Sequence, residues 1–514
     1  MRVFYLIACV LCALGSKPLP TDSAKILATF PFPGRSQYIF LETYLRELAA
    51  RGHQVTVINT FRNAETPNMT FIEAYKAHDH REEMMELLNE SFLWQVLNAW
   101  DKIVVKFTEI MLDNEGVRKL LESGETFDLV LVEMEQIEAL YGLAQHFNAT
   151  LAGFLSFGTD HRVDEAFGNI SPISYSPLVA SSRTDRMSFW ERLLNHYEYL
   201  VEKIHRHLVH LPAMQKMYDR YFPNAKQTFV EVLNIFAMVL IGQHFSLSNP
   251  RPYLPTMIEV GGLHINREPK VLPKDIKEFI EGSPQGVIYF SMGSNVKYAD
   301  LTQETQRTLL ETFGKLKQRV LWKFDNDEWP EKPGNVMIRK WFPQADVLAH
   351  PNVKIFITHG GQLSTFESVY FGKPILGLPC YFDQHMNVLR ATRMGFGLSL
   401  DVKNLKQKDL QHAIQTLLSD PSFAKASQEI SARYHDQPQS PLERAIWWTE
   451  YVIRHKDASH LRAASRDLTF IQLHSLDTLA VLLGLPLLVA VIILKLCRKT
   501  LWKHSAQAKK LKER

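Results

Sequence analysis

The chain has 514 residues, 46% of them apolar, which is enough to bury two domain cores with material left for smaller segments. A net charge of +3, without a basic stripe interleaved with aromatics, gives no footing for nucleic acid. Four cysteines are too few for a disulfide framework, and an internal disulfide is not expected.

In chain order, Arg2 precedes the apolar run Val3 to Leu14, and Ala13-Leu14-Gly15 offers small residues for cleavage; residues 1–16 read as a cleaved secretory signal. Lys25 to Phe30 reads as a strand, Pro31 to Gly34 as a turn, Ser36 to Ala50 as a helix and Gln54 to Asn59 as the next strand. This βαβ unit opens a first domain over 17–263. Between Asn68 and Leu120 the period is mostly helical. Within it, Phe92 to Phe107 fits an interfacial membrane helix and a buried domain helix about equally. Phe127 to Val132 is a strand that ends in Glu133, Met187 to Leu211 a long helix, and Phe236 to Ile241 a further strand.

Asn68, Asn89, Asn148 and Asn169 each open an Asn-x-Ser/Thr sequon, and their clustering suits a secretory lumen. His205, His207 and His210 do not read as a metal set. On a regular helix 207 and 210 share a face while 205 points elsewhere, with no cysteine or carboxylate to complete the set, so a solvated helix face is expected.

Polar residues over 264–285 read as a linker to a second domain, 286–434. It opens with the strand Gly286 to Phe290 and the turn Ser291-Met292-Gly293-Ser294, and Arg319 to Phe324 and Asn335 to Ile338 are further strands. The stretch Trp341 to Gln384 organises the rest. Val353 to Thr358 is a β-branched strand, His359-Gly360-Gly361 a tight turn, Gln362 to Phe371 a helix stopped by Gly372, and Ile375 to Leu378 a second strand. Such a turn presents backbone N–H groups and a positive helix end to an anion, most often a phosphate. Ser364 and Glu367 share a helix face, and a carboxylate there suits the two hydroxyls of a ribose. Trp341 could stack on a flat base, and Asp383 with Gln384 could hold several sugar hydroxyls. There is no GxGxxG, so this is not a typical dinucleotide site.

Residues 435–477 give a Pro-punctuated loop and an aromatic-rich amphipathic helix. Residues 478–497 are apolar over about the 20 residues that a bilayer requires. The basic tail 498–514 marks that side as cytosolic, which gives a single-pass type I chain with a lumenal body. Its end, Lys510-Leu511-Lys512-Glu513-Arg514, is similar to a dilysine retrieval signal for the endoplasmic reticulum.

The string from Trp341 to Gln384 closely resembles the nucleotide-sugar-binding signature of the UDP-glycosyltransferase family, which includes the membrane-anchored animal UDP-glucuronosyltransferases. The resemblance runs along nearly the whole chain and is tightest from about Glu259 to Asp477. It implies an α/β fold of the GT-B type: two facing Rossmann-like domains, the second holding the donor, the first the acceptor, and closing helices over 435–477 that return to the first. It implies donor-binding roles for Ser294, Trp341, Gln344, His359, Gly361, Ser364, Glu367, Asp383 and Gln384, with a UDP-sugar as co-substrate and neither cofactor nor metal. The partners implied are the UDP-sugar, a small lipophilic acceptor and the membrane through 478–497; homo- or hetero-oligomers with relatives are left open.

One position departs from the pattern. The family's general base is a histidine after the serine that follows the first Pro-Gly turn, and here Gln37 stands there, after Ser36. The aspartate that partners it matches Glu133. Glutamine accepts no proton near neutral pH, and losing a general base typically costs about 10²–10⁴-fold. Three readings stay open: acceptors that need little deprotonation, direct action by Glu133, or UDP-sugar binding without turnover as a partner or regulator of active relatives. Glucuronate-using vertebrate relatives carry an arginine where Gly242 stands, so the resemblance implies UDP-glucose rather than UDP-glucuronate.

Overall fold

The computed structural model describes residues 23–88, 97, 100–178, 181, 183–294, 296, 301–324 and 332–512. The signal-peptide reading and the Asn89 sequon fall outside the described residues.

Two parallel sheets carry the chain. The first comprises β1 (Lys25–Phe30), β2 (Gln54–Asn59), β3 (Met69–Glu73), β4 (Leu129–Glu133), β5 (Thr150–Leu155), β6 (Met238–Ile241) and β7 (Met257–Glu259), in the order β3-β2-β1-β4-β5-β6-β7. The second comprises β8 (Val287–Ser291), β9 (Arg319–Lys323), β10 (Val336–Arg339), β11 (Val353–Thr358), β12 (Ile375–Gly377) and β13 (Gly397–Ser399), in the order β10-β9-β8-β11-β12-β13. Helices cover both faces of a parallel sheet, so its strands are continuous apolar runs; every residue of β4 and of β8 is buried. In each sheet the winding reverses beside the first strand, between β1 and β4 and between β8 and β11. At such a point the connections leave the strands in opposite directions and open a crevice at their carboxyl ends.

The helices named below are α1 (Arg35–Ala50), α2 (Trp100–Leu112), α3 (Phe189–His205), α4 (Lys274–Glu281), α5 (Gln344–Ala349), α6 (Gln362–Tyr370), α7 (Gln384–Arg393), α8 (Pro421–His435), α9 (Pro441–Arg454) and α10 (Leu476–Lys512).

Several elements differ from the sequence expectation. Residues 69–73, inside a stretch of helical period, form the edge strand β3, held only by β2. In α2, Ile103, Val104 and Phe107 are in the first-domain core, so this part of the 92–107 segment is a domain helix. The exposed apolar residues lie instead along α3, at Phe189, Trp190, Leu193, Tyr197, Leu200 and Ile204. The linker stretch holds α4, whose Ile276 and Ile280 are buried with Val287 and Tyr289 in the second-domain core.

The histidine trio also differs. A π turn, Arg206–His210, follows α3, and its i→i+5 spacing brings residues five apart onto one face. His205 and His210 therefore both meet Asp101, at 3.2 and 2.9 Å, and His210 Nε2 lies 2.7 Å from Glu138. His210 is fully buried, and only His207 keeps the expected solvated position. Among the described residues no group of three or more His, Cys, Asp or Glu is arranged to hold a metal ion.

The chain crosses between domains twice. The first crossing runs from β7 to α4. The second runs from α8, with Ile430 and Tyr434 in the second-domain core, to α9, with Ala445, Ile446 and Val452 in the first-domain core. The crossings are bonded to each other: Tyr434 OH donates to Gly261 O (2.8 Å) and Arg444 Nη1 to Glu259 O (3.1 Å). Within α10, Leu476–Lys503 is long and apolar enough to cross a membrane, and none of its apolar stretch is buried against the protein. It begins two residues before the expected span, and the helix continues into the basic tail.

Candidate active site

The reversal points of the two sheets face each other across a cavity of about 120 Å³. The first domain contributes Phe32, Ser36 and Gln37 after β1, and Glu135 after β4. The second contributes Gly293 and Ser294 after β8, His359 and Gly361 after β11, and Asp383 and Gln384 after β12. A second cavity, about 460 Å³, shares the Gly293–Ser294 wall and reaches Trp322, Lys323 and Lys340.

His359 is clamped between two glycine backbones. A Cβ on Gly293 would meet its Cε1 at 2.4 Å and one on Gly361 its Nε2 at 2.5 Å, and Gly293 also has φ +75°. Any side chain at either place would displace the ring. Burial, reinforced by the charge of Lys323, lowers the imidazole pKa to about 3. The ring is thus neutral at physiological pH and offers a phosphate a hydrogen bond rather than a charge. The N-terminus of α6 opens beside it, with Gly361 as N-cap and no acidic residue in its first turn; the Gln362 N–H there donates to the Asp383 carboxylate, and the positive helix end still favours an anion.

Ser364 lines the cavity and ties it to a polar set on its flank. Gln344, at the start of α5, donates through Nε2 to Ser364 Oγ (3.0 Å) and to Glu367 Oε2 (2.6 Å). His264 Nε2 stands 3.3 Å from Glu367 Oε1. Trp341 is 56% exposed, with Lys323 Nζ 4.8 Å from its ring centroid.

Across the cavity Phe382 has φ +54°, a strained value for a bulky side chain, and it aims the following residues inward. Asp383 accepts from Asn387 Nδ2 (2.7 Å). Burial raises its pKa to about 6, opposed by that hydrogen bond. Gln384 spends its Oε1 on the backbone N–H groups of Cys380 (2.8 Å) and Tyr381 (3.2 Å), which leaves its amide hydrogens as donors toward the cavity.

On the first-domain side Gln37 sits in the first turn of α1. Its carboxamide folds over Gly34, with Oε1 2.0 Å from where a Cβ on Gly34 would stand. Glu133 does not join it. The last residue of β4, Glu133 is fully buried, accepts from Ser156 Oγ (3.2 Å), and has no partner for Oε2. Burial, with the charge of Glu135, raises its pKa well above the carboxylate range. The carboxylate that reaches the cavity is Glu135, two residues on and past the end of the sheet. The sequence reading passed over it, and the only available signal was a second acid just beyond the predicted strand.

A family model described as UDP-glucoronosyl and UDP-glucosyl transferase matches residues 25–511. The chain is similar to UDP-glucosyltransferase 2 of Dactylopius coccus, 32% identical over 503 residues and covering 96% of each chain. It is also similar to UDP-glucuronosyltransferase 2B15 of Homo sapiens, 32% identical over 508 residues and covering 93% of each. Among solved structures, the glycosyltransferase VinC in complex with DTDP aligns with a TM-score of 0.58 at 18% identity, over 84% of this chain and 100% of that one. The calicheamicin glycosyltransferase CalG4 aligns with a TM-score of 0.57 at 15% identity, over 85% and 100%. Those two likenesses concern the fold, which is GT-B. With the family model spanning both sheets and the cavity between them, the chain belongs to the UDP-glucuronosyl and UDP-glucosyl transferase family.

Proposed function

We propose that the chain transfers a hexose from UDP-hexose, UDP-glucose in preference to UDP-glucuronate, to a small lipophilic acceptor. The observation that carries this reading is one cavity wall holding a neutral histidine, a helix N-terminus and the Asp383–Gln384 pair. On this reading His359, the turn at Gly293–Ser294 and the α6 N–H groups hold the diphosphate. Glu367, set by Gln344, takes the ribose hydroxyls, Trp341 flanks the base, and Asp383 and Gln384 orient the sugar.

Two features favour an uncharged sugar. The carboxylate of glucuronate seeks a cation, and none of the described residues lining the cavity is lysine or arginine. Gly242 also leaves no room for one, since a Cβ there would meet Ser156 O at 2.5 Å. The apolar span in α10 and the basic residues after it support a type I anchor with a lumenal body, and the dilysine-like end supports the endoplasmic reticulum.

Gln37 favours a second reading, a member that binds UDP-sugar without turnover as a partner or regulator. Calorimetric titration with UDP-glucose and UDP-glucuronate, followed by assays of UDP release across acceptors, separates the two. Tight UDP-glucose binding with acceptor-dependent UDP release is expected. Binding without release from any acceptor would leave the non-catalytic reading, and no binding of either nucleotide sugar would remove both.

A further inference from the structure

We propose that Glu135 is the catalytic base of this chain, taking the acceptor proton at a position where the family's base histidine is replaced by Gln37. This rests on the transferase reading above.

The argument is topological before it is electrostatic. The crevice of the first sheet opens where β1 and β4 lie side by side, and the residues just past those two strands face into it, with the apolar Met84 and Phe157 completing the first-domain wall. After β1 the wall is Phe32, Ser36 and Gln37, and none of these accepts a proton near neutral pH. After β4 it is Glu135. Glu133, the match to the family's carboxylate, is held inside the sheet under Ser156 and cannot reach an acceptor without β4 leaving the sheet. Among the described first-domain residues on the cavity wall, Glu135 is therefore the one side chain able to carry a proton away.

Its surroundings suit that role. Glu135 is 9% exposed, so it is largely desolvated yet still opens to the cavity. Burial raises its pKa to about 7, opposed by Arg162 and reinforced by Asp160 and Glu138. Glu133 faces it from β4, and His359 and Asp383 face it across the cavity. No hydrogen bond contributes to its titration, so the carboxylate is not committed to a structural partner among the described residues. A base whose pKa lies near the working pH combines the correct protonation state with useful proton affinity.

The step balances without a further reagent. As the acceptor oxygen forms its bond to the anomeric carbon, the acceptor O–H bond breaks and its proton passes to the Glu135 carboxylate. The bond between the anomeric carbon and the diphosphate oxygen breaks, and its electron pair leaves with UDP. Glu135 then releases the proton to solvent.

The test uses the full-length protein in microsomes, with UDP release from UDP-glucose measured for a panel of hydroxyl acceptors and for water as the smallest one. Glu135→Gln should lower turnover at least 100-fold, the lower end of the range for a lost base, while UDP-glucose affinity stays within about twofold by calorimetry. In the unsubstituted protein kcat/KM should rise with pH to a plateau with a midpoint near 7, and this limb should vanish in the variant. Added formate should restore part of the turnover of Glu135→Ala. Turnover of Glu135→Gln within threefold of the parent overturns the base assignment and leaves the transferase reading intact. Loss of UDP-glucose binding together with turnover, without formate rescue, also overturns it, since that marks a structural role. If the parent binds UDP-glucose but releases UDP to no acceptor, water included, the base and the transferase reading fail together.

Discussion

Gln344 and Glu367 are joined by a 2.6 Å hydrogen bond, from the carboxamide of one helix to the carboxylate of the next. The Oε1 of the same Gln344 amide accepts from Tyr289 OH (3.2 Å), so both polar atoms of the glutamine are held. A carboxylate fixed in this way meets a ribose without first losing side-chain freedom. Glu367→Ala and His359→Ala should each weaken UDP binding by about 1–3 kcal/mol in calorimetry, and unchanged affinity in both would sink the donor assignment. Asp383→Ala should spare UDP and weaken only UDP-glucose.

Position 37 offers a gain-of-function test. Gln37→His places an imidazole of unperturbed pKa about 6.5 on the cavity wall. Turnover with alcohol or phenol acceptors should rise about 10-fold or more, within the range of an added general base. A tertiary amine acceptor, with no proton to remove, should show little change. No gain for any hydroxyl acceptor, with UDP-glucose still bound, would mean that position 37 does not face the acceptor.

The buried histidine makes stability depend on pH. Burial alone would lower the His210 pKa, but Glu138 and Asp101 outweigh it and lift it to about 9, with Arg206 opposing. The folded state thus holds a proton that the unfolded chain releases above about pH 6.5. Its contribution is complete below that pH and disappears as pH rises through about 9. Thermal melts of the parent should show Tm falling over that window, by up to about 3 kcal/mol of stability. His210→Gln should be less stable at pH 6 and should flatten the slope. An equal slope in both proteins would assign the pH dependence to other groups.

The sequons separate by their side chains. Asn169 donates both amide hydrogens, to Asp164 Oδ1 (2.9 Å) and Pro252 O (3.0 Å), and a glycan would replace one of them. Asn148 is exposed at a left-handed turn, φ +51°. For a lumenal body, Asn148→Gln should remove one endoglycosidase-sensitive mass step on a gel and Asn169→Gln none. In the same sealed microsomes the C-terminal tail should be open to added protease; a protected tail would contradict the type I orientation.

Much of this architecture is legible before any coordinates. The bounds read for β1, β2 and β11 coincide with those observed, because strands covered on both faces are short stretches rich in buried apolar and β-branched residues. The His359 turn is equally legible, since only glycines tolerate its close approaches. Three-residue strands such as β7 and β13 are too short to carry a period. The burial of His210 depends on a π turn, a one-residue backbone offset that leaves no mark in the pattern of residue types. The two acids of β4 show the same limit at the site. Whether Glu133 or Glu135 emerges from the sheet is decided by where pairing with β5 stops, and Glu133 is the last residue paired, opposite Phe154.

The paired crossings set the mechanics of the molecule. Two halves joined by one strand of chain can twist as well as swing, whereas two connections lying side by side and bonded to each other behave as a door with two hinge pins. Torsion about the long axis is then stiff, and opening of the cleft is the soft motion. On the transferase reading proposed above, a donor held by the second domain would be presented to the first along one arc, with the sugar meeting the same face of the acceptor each time.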